Sequence, residues 1–194
     1  MDASVLAALA RWPGVPAVHG WLALDARGRW KLGGGPIGNP AIVAFIARNY
    51  APDERGAWYF QNGPQRVYVT LERAPWVLRL APQGAITHTG LTVSGVGRVL
   101  LDPAVGVLWC TDLGPAAVHD ADTGQMLDAL CDADGLALAD ATLQDWLSGA
   151  AVPAPRLQPA VLGVPVAAGT LVAVQRCPVA AWPAQAGFVP EPRP

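Results

Sequence analysis

The 194-residue sequence has one lysine, three cysteines and no long apolar run, and each scarcity closes off a class of function. No stretch approaches the ~18–20 apolar residues that span a bilayer, so no membrane contact is expected. The N-terminus MDASVLAALARW has Asp2 where a secretory leader carries a basic region, and its apolar part is short. A secretory signal is therefore not expected. Cys110, Cys131 and Cys177 are odd in number and lack CxxC spacing, which reads as reduced, buried thiols of a cytoplasmic protein. One Lys beside twelve Arg, in a chain of net charge −2, leaves little from which to assemble a phosphate-tracking stripe. Nucleic acid is not an expected partner.

The usual signatures of catalysis and metal binding are missing as well. His19, His88 and His119 lie far apart, without the spacing that converges three or four ligands on zinc. Asp120-x-Asp122-Thr123-Gly124 and Asp132-x-Asp134-Gly135 look like calcium loops, yet the twelfth position counted from Asp120 is Cys131 and not glutamate. Asx-type turns account for both. Gly33, Gly34, Gly35 and Gly38 precede a helix but fit neither GxxxxGK[ST] nor GxGxxG, so they read as a connector. There is no GxSxG, and no cysteine has a histidine beside it in sequence; Cys110 and His119 are a pair that only folding could join. No metal site, cofactor or catalytic residue is expected.

What the chain does have is apolar material, 52% of its residues, and an uneven charge. Residues 1–80 carry nine basic and five acidic groups, and residues 81–194 four and ten. Eight aspartates and no Lys or Arg lie between Asp112 and Asp145. Arg in place of Lys, with abundant Ala and Pro, is the usage of a GC-rich bacterial genome.

Asp2 or Ser4 can cap a first helix with Val5, Leu6, Leu9 and Trp12 on one face. Trp21–Asp25 and Arg29–Leu32 flank an Ala26-Arg27-Gly28 turn as a hairpin. Asn39 and Pro40 then start a second helix, with Ile42, Phe45, Ile46 and Asn49 at three- and four-residue steps. Trp58–Gln61 and Arg66–Glu72 read as strands, the second placing Val67, Val69 and Leu71 on one face and Arg66, Tyr68, Thr70 and Glu72 on the other. Trp76–Leu80 reads as a third strand of this domain.

Beyond Pro82 the pattern is short strands: Arg98–Leu101 with Val107–Thr111, and Val118–His119 with Gln125–Leu130. A helix is expected over Ala141–Leu147 and a strand over Thr170–Gln175. Leu130-Cys131-Asp132-Ala133-Asp134-Gly135 echoes Leu24-Asp25-Ala26-Arg27-Gly28 with one residue inserted; the echo raises an internal duplication. Of the eight tryptophans, Trp21, Trp30, Trp58 and Trp76 sit on early strands. Most are expected in the core, and an exposed subset would mark an interface.

The hairpin ending in RGRW, GxPI at Gly35–Ile37, PAIV at Pro40–Val43, a strand like Trp58–Gln61, RVYVTLE at Arg66–Glu72 and APW at Ala74–Trp76 resemble a bacterial family of domain-of-unknown-function proteins. The resemblance covers Asp25 to Leu80, under a third of the chain. It implies two related helix-plus-sheet domains, the second superficially like a pleckstrin-homology fold, and ligand binding at the domain interface in signalling.

The expected architecture is α+β: two small β-rich domains, each an antiparallel sheet with one packed helix. Their bounds are 1–81 and 82–177, followed by a proline-rich tail at 178–194, extended or disordered. The candidate site is the polar face of the first sheet: Tyr59, Gln61, Arg66, Tyr68 and Arg79. Guanidinium groups offer forked donors to phosphate or carboxylate, and tyrosines a flat stacking surface. The expected function is a non-enzymatic binding or regulatory module, taking a small anionic or nucleotide-like ligand between its domains. The alternatives are a protein–protein adaptor or homodimer, and an enzyme of unknown class.

Overall fold

The Asn39-Pro40 helix start is realised as read. The Asn39 side chain accepts a hydrogen bond from the Ala41 amide at 2.9 Å, and Pro40 opens a helix that runs to Arg48. A computed structural model describes residues 1–194 and divides them into two units, Met1–Pro75 with Gly187–Pro194, and Trp76–Ala186. The protein is α+β, with sheets of six and eight strands and five α-helices.

The first unit contains α1 (Ala3–Arg11), β1 (Val18–Leu24), β2 (Trp30–Leu32), β3 (Gly35–Pro36), α2 (Pro40–Arg48), β4 (Tyr50–Pro52), β5 (Trp58–Asn62) and β6 (Gln65–Leu71). The strand order is β3-β2-β1-β6-β5-β4. The sheet is mixed, because β1 and β6 run parallel. The chain between them includes a whole helix, the kind of crossover that a parallel pair needs. Leu22, Leu24, Val69 and Leu71 are buried, with Ile46 of α2. Phe45 meets Phe60 edge-on at 5.4 Å, and Tyr50 joins Trp30 and Trp58 in an aromatic cluster.

Asn49 is fully buried and ties the two helices together. Its Nδ2 donates to the Phe45 carbonyl and to Asp2, while its Oδ1 accepts from the Asp2 amide. Asp2 therefore spends its carboxylate on Asn49 and Arg48 and not on capping α1. On α1 only Val5 is buried, whereas Leu6, and Trp12 just past its end, stand half exposed.

The second unit holds β7 (Trp76–Ala81), β8 (Gly84–Thr87), β9 (Val96–Asp102), β10 (Gly106–Thr111), β11 (Gly114–Val118), α3 (Thr123–Asp128), β12 (Leu130–Cys131), α4 (Asp140–Ser148), β13 (Arg156–Leu157), β14 (Val172–Arg176) and α5 (Trp182–Ala186). Its order is β12-β13-β14-β9-β10-β11-β7-β8, again mixed, with β11–β7 and β14–β9 parallel. Val99, Leu108, Trp109, Met126, Leu157 and Trp182 are among its most deeply buried side chains.

Several expectations change. Trp76–Leu80 is not a strand of the first sheet: it pairs with β8 and β11, so the second unit begins at Trp76 instead of residue 82. Gln125–Leu130 is mostly helix. The Ala121 amide caps on His119 Nδ1 at 3.1 Å and a 3-10 turn at Asp120–Asp122 leads into α3. The 178–194 segment is not an extended tail. Residues 179–186 form helical turns with Trp182 buried. Residues 187–194 belong to the first unit, where the Val189 amide donates to the Gly56 carbonyl and the Leu71 amide to the Pro190 carbonyl.

The echo between Asp25–Gly28 and Asp132–Gly135 is a turn built the same way. Each aspartate Oδ1 accepts the amides two and four residues on, Arg27 and Arg29 in one case, Asp134 and Leu136 in the other. The glycines sit at φ 78° and 81°. Asp53-Glu54-Arg55-Gly56 repeats the arrangement a third time, with Asp53 Oδ1 accepting from Arg55 and Ala57 and Gly56 at φ 80°. A turn used three times is a local solution for reversing a chain, so the echo is explained without duplication.

Candidate functional site

Side chains alternate along β5 and β6, so Trp58, Phe60, Val67 and Val69 share one face and Tyr59, Gln61, Arg66 and Tyr68 the other. The register pairs Tyr59 with Tyr68 and Gln61 with Arg66. Four of the five expected site residues thus lie on one face of the first sheet. The fifth, Arg79, is on β7 in the second unit, where its Nε meets Asp122 Oδ2 at 2.7 Å. Asp122 also accepts the Leu80 amide at 3.0 Å, so this guanidinium is committed to a structural pair.

The four do not form one open surface. Gln61 is completely buried. Its Nε2 donates to the Gly63 carbonyl at 2.9 Å, and Oε1 has no partner. Tyr59 and Tyr68 are 7% and 6% exposed, and they pack with Ala57, Ala51 and Val189 as a small second core. Their rings meet at 5.8 Å, and His19 of β1 stacks on Tyr68 at 4.6 Å. The tyrosines are therefore wall and floor, not a platform on which a base could lie.

A cleft of ≈ 480 Å³ opens beside them, lined by Pro52, Asp53, Glu54, Arg55, Tyr59, Arg66 and Tyr68. The third copy of the aspartate turn supplies one wall. Asp53 Oδ2 accepts the Tyr68 hydroxyl at 3.0 Å and stands 3.5 Å from Arg55 Nε. Burial pushes the Asp53 carboxyl up, but the Ala57 amide, the Tyr68 hydroxyl and the Arg55 amide outweigh it and hold its pKa below the ordinary value. Asp53 stays ionised, and both its oxygens are already in use.

The opposite wall is Arg66, exposed, with its guanidinium 4.7 Å above the Tyr59 ring. The ring face orients the cation without neutralising it. No carboxylate lies within ion-pair distance of Arg66. The cleft thus pairs one satisfied acid with one guanidinium whose five donors are open to a ligand.

The alignment of Arg66 with Tyr59 and Tyr68 was legible in the sequence; the contribution of Asp53 and Arg55 was not. Their signal was the D-x-x-G spacing, shared with Asp25 and Asp132. Cys110 and His119 do not meet. Cys110 pairs with Pro115, which leaves His119 beyond the other end of β11.

A family model described as "Protein of unknown function (DUF2946)" matches residues 1–193. The chain belongs to this family. Two solved structures are similar to the DUF2946 chain. A DUF1285 family protein from Silicibacter pomeroyi DSS-3 is 21% identical over 69% of this chain and 87% of its own, with TM-score 0.47. A DUF1285 family protein from Shewanella baltica OS155 is 19% identical over 54% and 87%, with TM-score 0.41. No curated protein matches the sequence. No helix of the DUF2946 chain is long and apolar enough to cross a membrane.

Proposed function

We propose that this DUF2946 protein is a non-enzymatic binding or regulatory module that holds a small anionic ligand in the Arg66–Asp53 cleft. One observation carries the reading: Arg66 is held over Tyr59 at the mouth of the cleft with no acidic partner, while the Asp53 carboxylate beside it is saturated by Arg55, Ala57 and Tyr68. A guanidinium fixed by an aromatic face and left with free donors is suited to a carboxylate or phosphate, which it grips through two parallel hydrogen bonds. Arg55, 3.5 Å from Asp53, offsets that carboxylate's charge at the rim. Glu54 sets a limit, because a multiply charged ligand must keep its remaining charge on the Arg66 side.

The ligand is anionic and small, since ≈ 480 Å³ falls within the range of small-molecule sites. The test is a thermal-shift screen of nucleotides and acidic metabolites against the wild type and Arg66→Ala. The reading expects at least one anion to stabilise the wild type and to lose that effect in the variant. Stabilisation by none of them, or equal stabilisation of both proteins, contradicts it.

A further inference from the structure

The opposite face of the first sheet carries a second cleft that the anion site does not use. It lies where α2 leaves part of the sheet uncovered, and its volume is ≈ 430 Å³. Leu22 and Val67 form its floor, with Ile42 and Ile46 of α2 as one wall. Trp21 and Leu32 stand on its lip. No acidic or basic side chain lines it; besides the Trp21 indole on the lip, its polar side chains are the amides of Asn62 and Gln65 at the β5–β6 turn end, where Gln65 Nε2 donates to the Pro16 carbonyl at 3.1 Å and leaves its oxygen for a ligand.

The burial pattern is unusual for a surface that meets only water. Trp21 is 67% exposed, Leu32 55% and Ile42 48%, and all three border the same concave space. Scattered exposed apolar residues need no explanation, but their gathering around one cleft does. The Gly20 kink is part of the cause. It sits at φ 75° where the β1–β6 register shifts between Val18 and Leu22. That irregularity places Trp21 at the rim, outside the helix-covered core.

The shape of the cleft narrows its occupant. Its lining runs from Leu32 on β2 across β1 and β6 to Phe60 and Asn62 on β5. Three inter-strand steps make this about 14 Å, which leaves a cross-section of roughly 30 Å², room for one hydrocarbon chain and not two. A cavity of about 150 Å³ takes up benzene, and threefold that volume over this length suits a chain of roughly ten carbons. Charge complementarity agrees, since a lining without ionised groups neither attracts nor solvates a charged body. The two amides mark the end at which a polar head reaches water.

We propose that this cleft binds the unbranched acyl or alkyl chain of a small amphipathic molecule, about ten carbons long, with its head group at Asn62 and Gln65. The chain lies against Leu22, Val67 and Ile46, under Trp21 and Leu32. This site is independent of the Arg66 cleft, because the two open on opposite faces of the same sheet.

Isothermal titration of the full chain with hexanol, octanol, decanol and dodecanol, and with hexanoate, octanoate, decanoate and dodecanoate, tests it. Affinity should tighten about three- to fourfold per added methylene and level off near ten carbons. Parallel slopes for both series show that the chain is what is recognised; the alcohols binding alone, or the acids alone, tells a neutral head from a carboxylate. Ile42→Glu, at a half-exposed helix position, should weaken decanol binding at least tenfold. Leu136→Glu, at an exposed apolar position of the second unit, should leave it unchanged, as should Arg66→Ala. Absence of binding in both series, affinity independent of chain length, or equal binding by Ile42→Glu and Leu136→Glu overturns the proposal. So does sedimentation showing a dimer that Ile42→Glu dissociates and decanol does not, since the cleft would then belong to a second copy of the chain.

Discussion

Removing the Asp53 carboxylate should cost the first unit more stability than removing any exposed acid, and the structure gives the size of the effect. Asp53 Oδ1 accepts the Arg55 and Ala57 amides, both at 2.9 Å, and Oδ2 accepts the Tyr68 hydroxyl at 3.0 Å. Hydrogen bonds to a charged acceptor contribute about 1.5–3 kcal/mol each, though not additively within one network. Arg55 is exposed, so its amide regains water and offsets part of the loss. The Ala57 amide and the Tyr68 hydroxyl belong to buried residues and lose the most. Asp53→Ala should therefore cost about 3 kcal/mol, and Asp53→Asn about 1 kcal/mol, because its amide oxygen keeps the two backbone bonds. Hydrogen exchange gives the local reading. In Asp53→Ala the Ala57 amide should exchange roughly a hundredfold faster, with β9 and β10 protection unchanged. An Asp53→Ala protein within 0.5 kcal/mol of wild type in urea unfolding, with Ala57 still protected, would refute the reasoning.

Two further effects follow from the same geometry. Gly56→Ala forces a side chain into φ 80° with its Cβ 2.5 Å from the Gly187 carbonyl oxygen; it should lower stability by more than 2 kcal/mol and expose residues 187–194 to limited proteolysis, and an undisturbed melting curve would contradict this. His88 is held neutral by burial, which brings its pKa down to about 4, with Nδ1 accepting the Val77 amide at 3.3 Å. The unfolded chain takes up this proton near its ordinary 6.5, so stability should fall as pH drops from about 6.5 to about 4 and gain no further slope from this group below. The loss is on the order of 3 kcal/mol, and His88→Gln should flatten that limb of the stability–pH curve. Asp25, Asp53 and Asp122, all held below the ordinary carboxylate value, act in a lower window: their contribution is complete above the unfolded pKa and disappears as pH falls through their depressed values.

The residues that were legible in the sequence are those whose signal is local. Asn39 and Pro40 mark the α2 start because a cap and a first-turn proline act on neighbouring amides. Val67, Val69 and Leu71 alternate with Arg66, Tyr68 and Thr70, and that period fixes which face Arg66 occupies. Trp76–Leu80 reads as a strand of the first sheet yet joins the second, because a strand's sequence declares its conformation and not its partner; its neighbours, β8 and β11, come later in the chain. The parallel β1–β6 pair escaped for the same reason. Pro178–Pro194 reads as unstructured by composition, yet Trp182 and Phe188 find buried places that only the tertiary fold provides. At the site, the pairing of Arg66 with Tyr59 was implied by strand register. Asp53 was not, since its role depends on a turn folding back so that Tyr68 reaches its carboxylate.

The apolar cleft shows the other limit of periodicity. Ile42 and Ile46 lie on the α2 face that the heptad-like spacing directs to the sheet, yet Ile46 is buried and Ile42 is half exposed. A nine-residue helix is about 14 Å long, too short to cover every inward side chain of a six-stranded sheet, and the uncovered remainder is the cleft.

The central claim is that Arg66 anchors an anion in the Asp53 cleft, and titration of one stabilising anion into wild type and Arg66→Ala tests it most directly. Loss of a bidentate, charge-assisted contact of about 1.5–3 kcal/mol corresponds to roughly 10- to 150-fold weaker binding in Arg66→Ala, with wild-type affinity falling as salt rises. An anion that binds both proteins with the same affinity and the same salt dependence would contradict the assignment of Arg66 as its anchor.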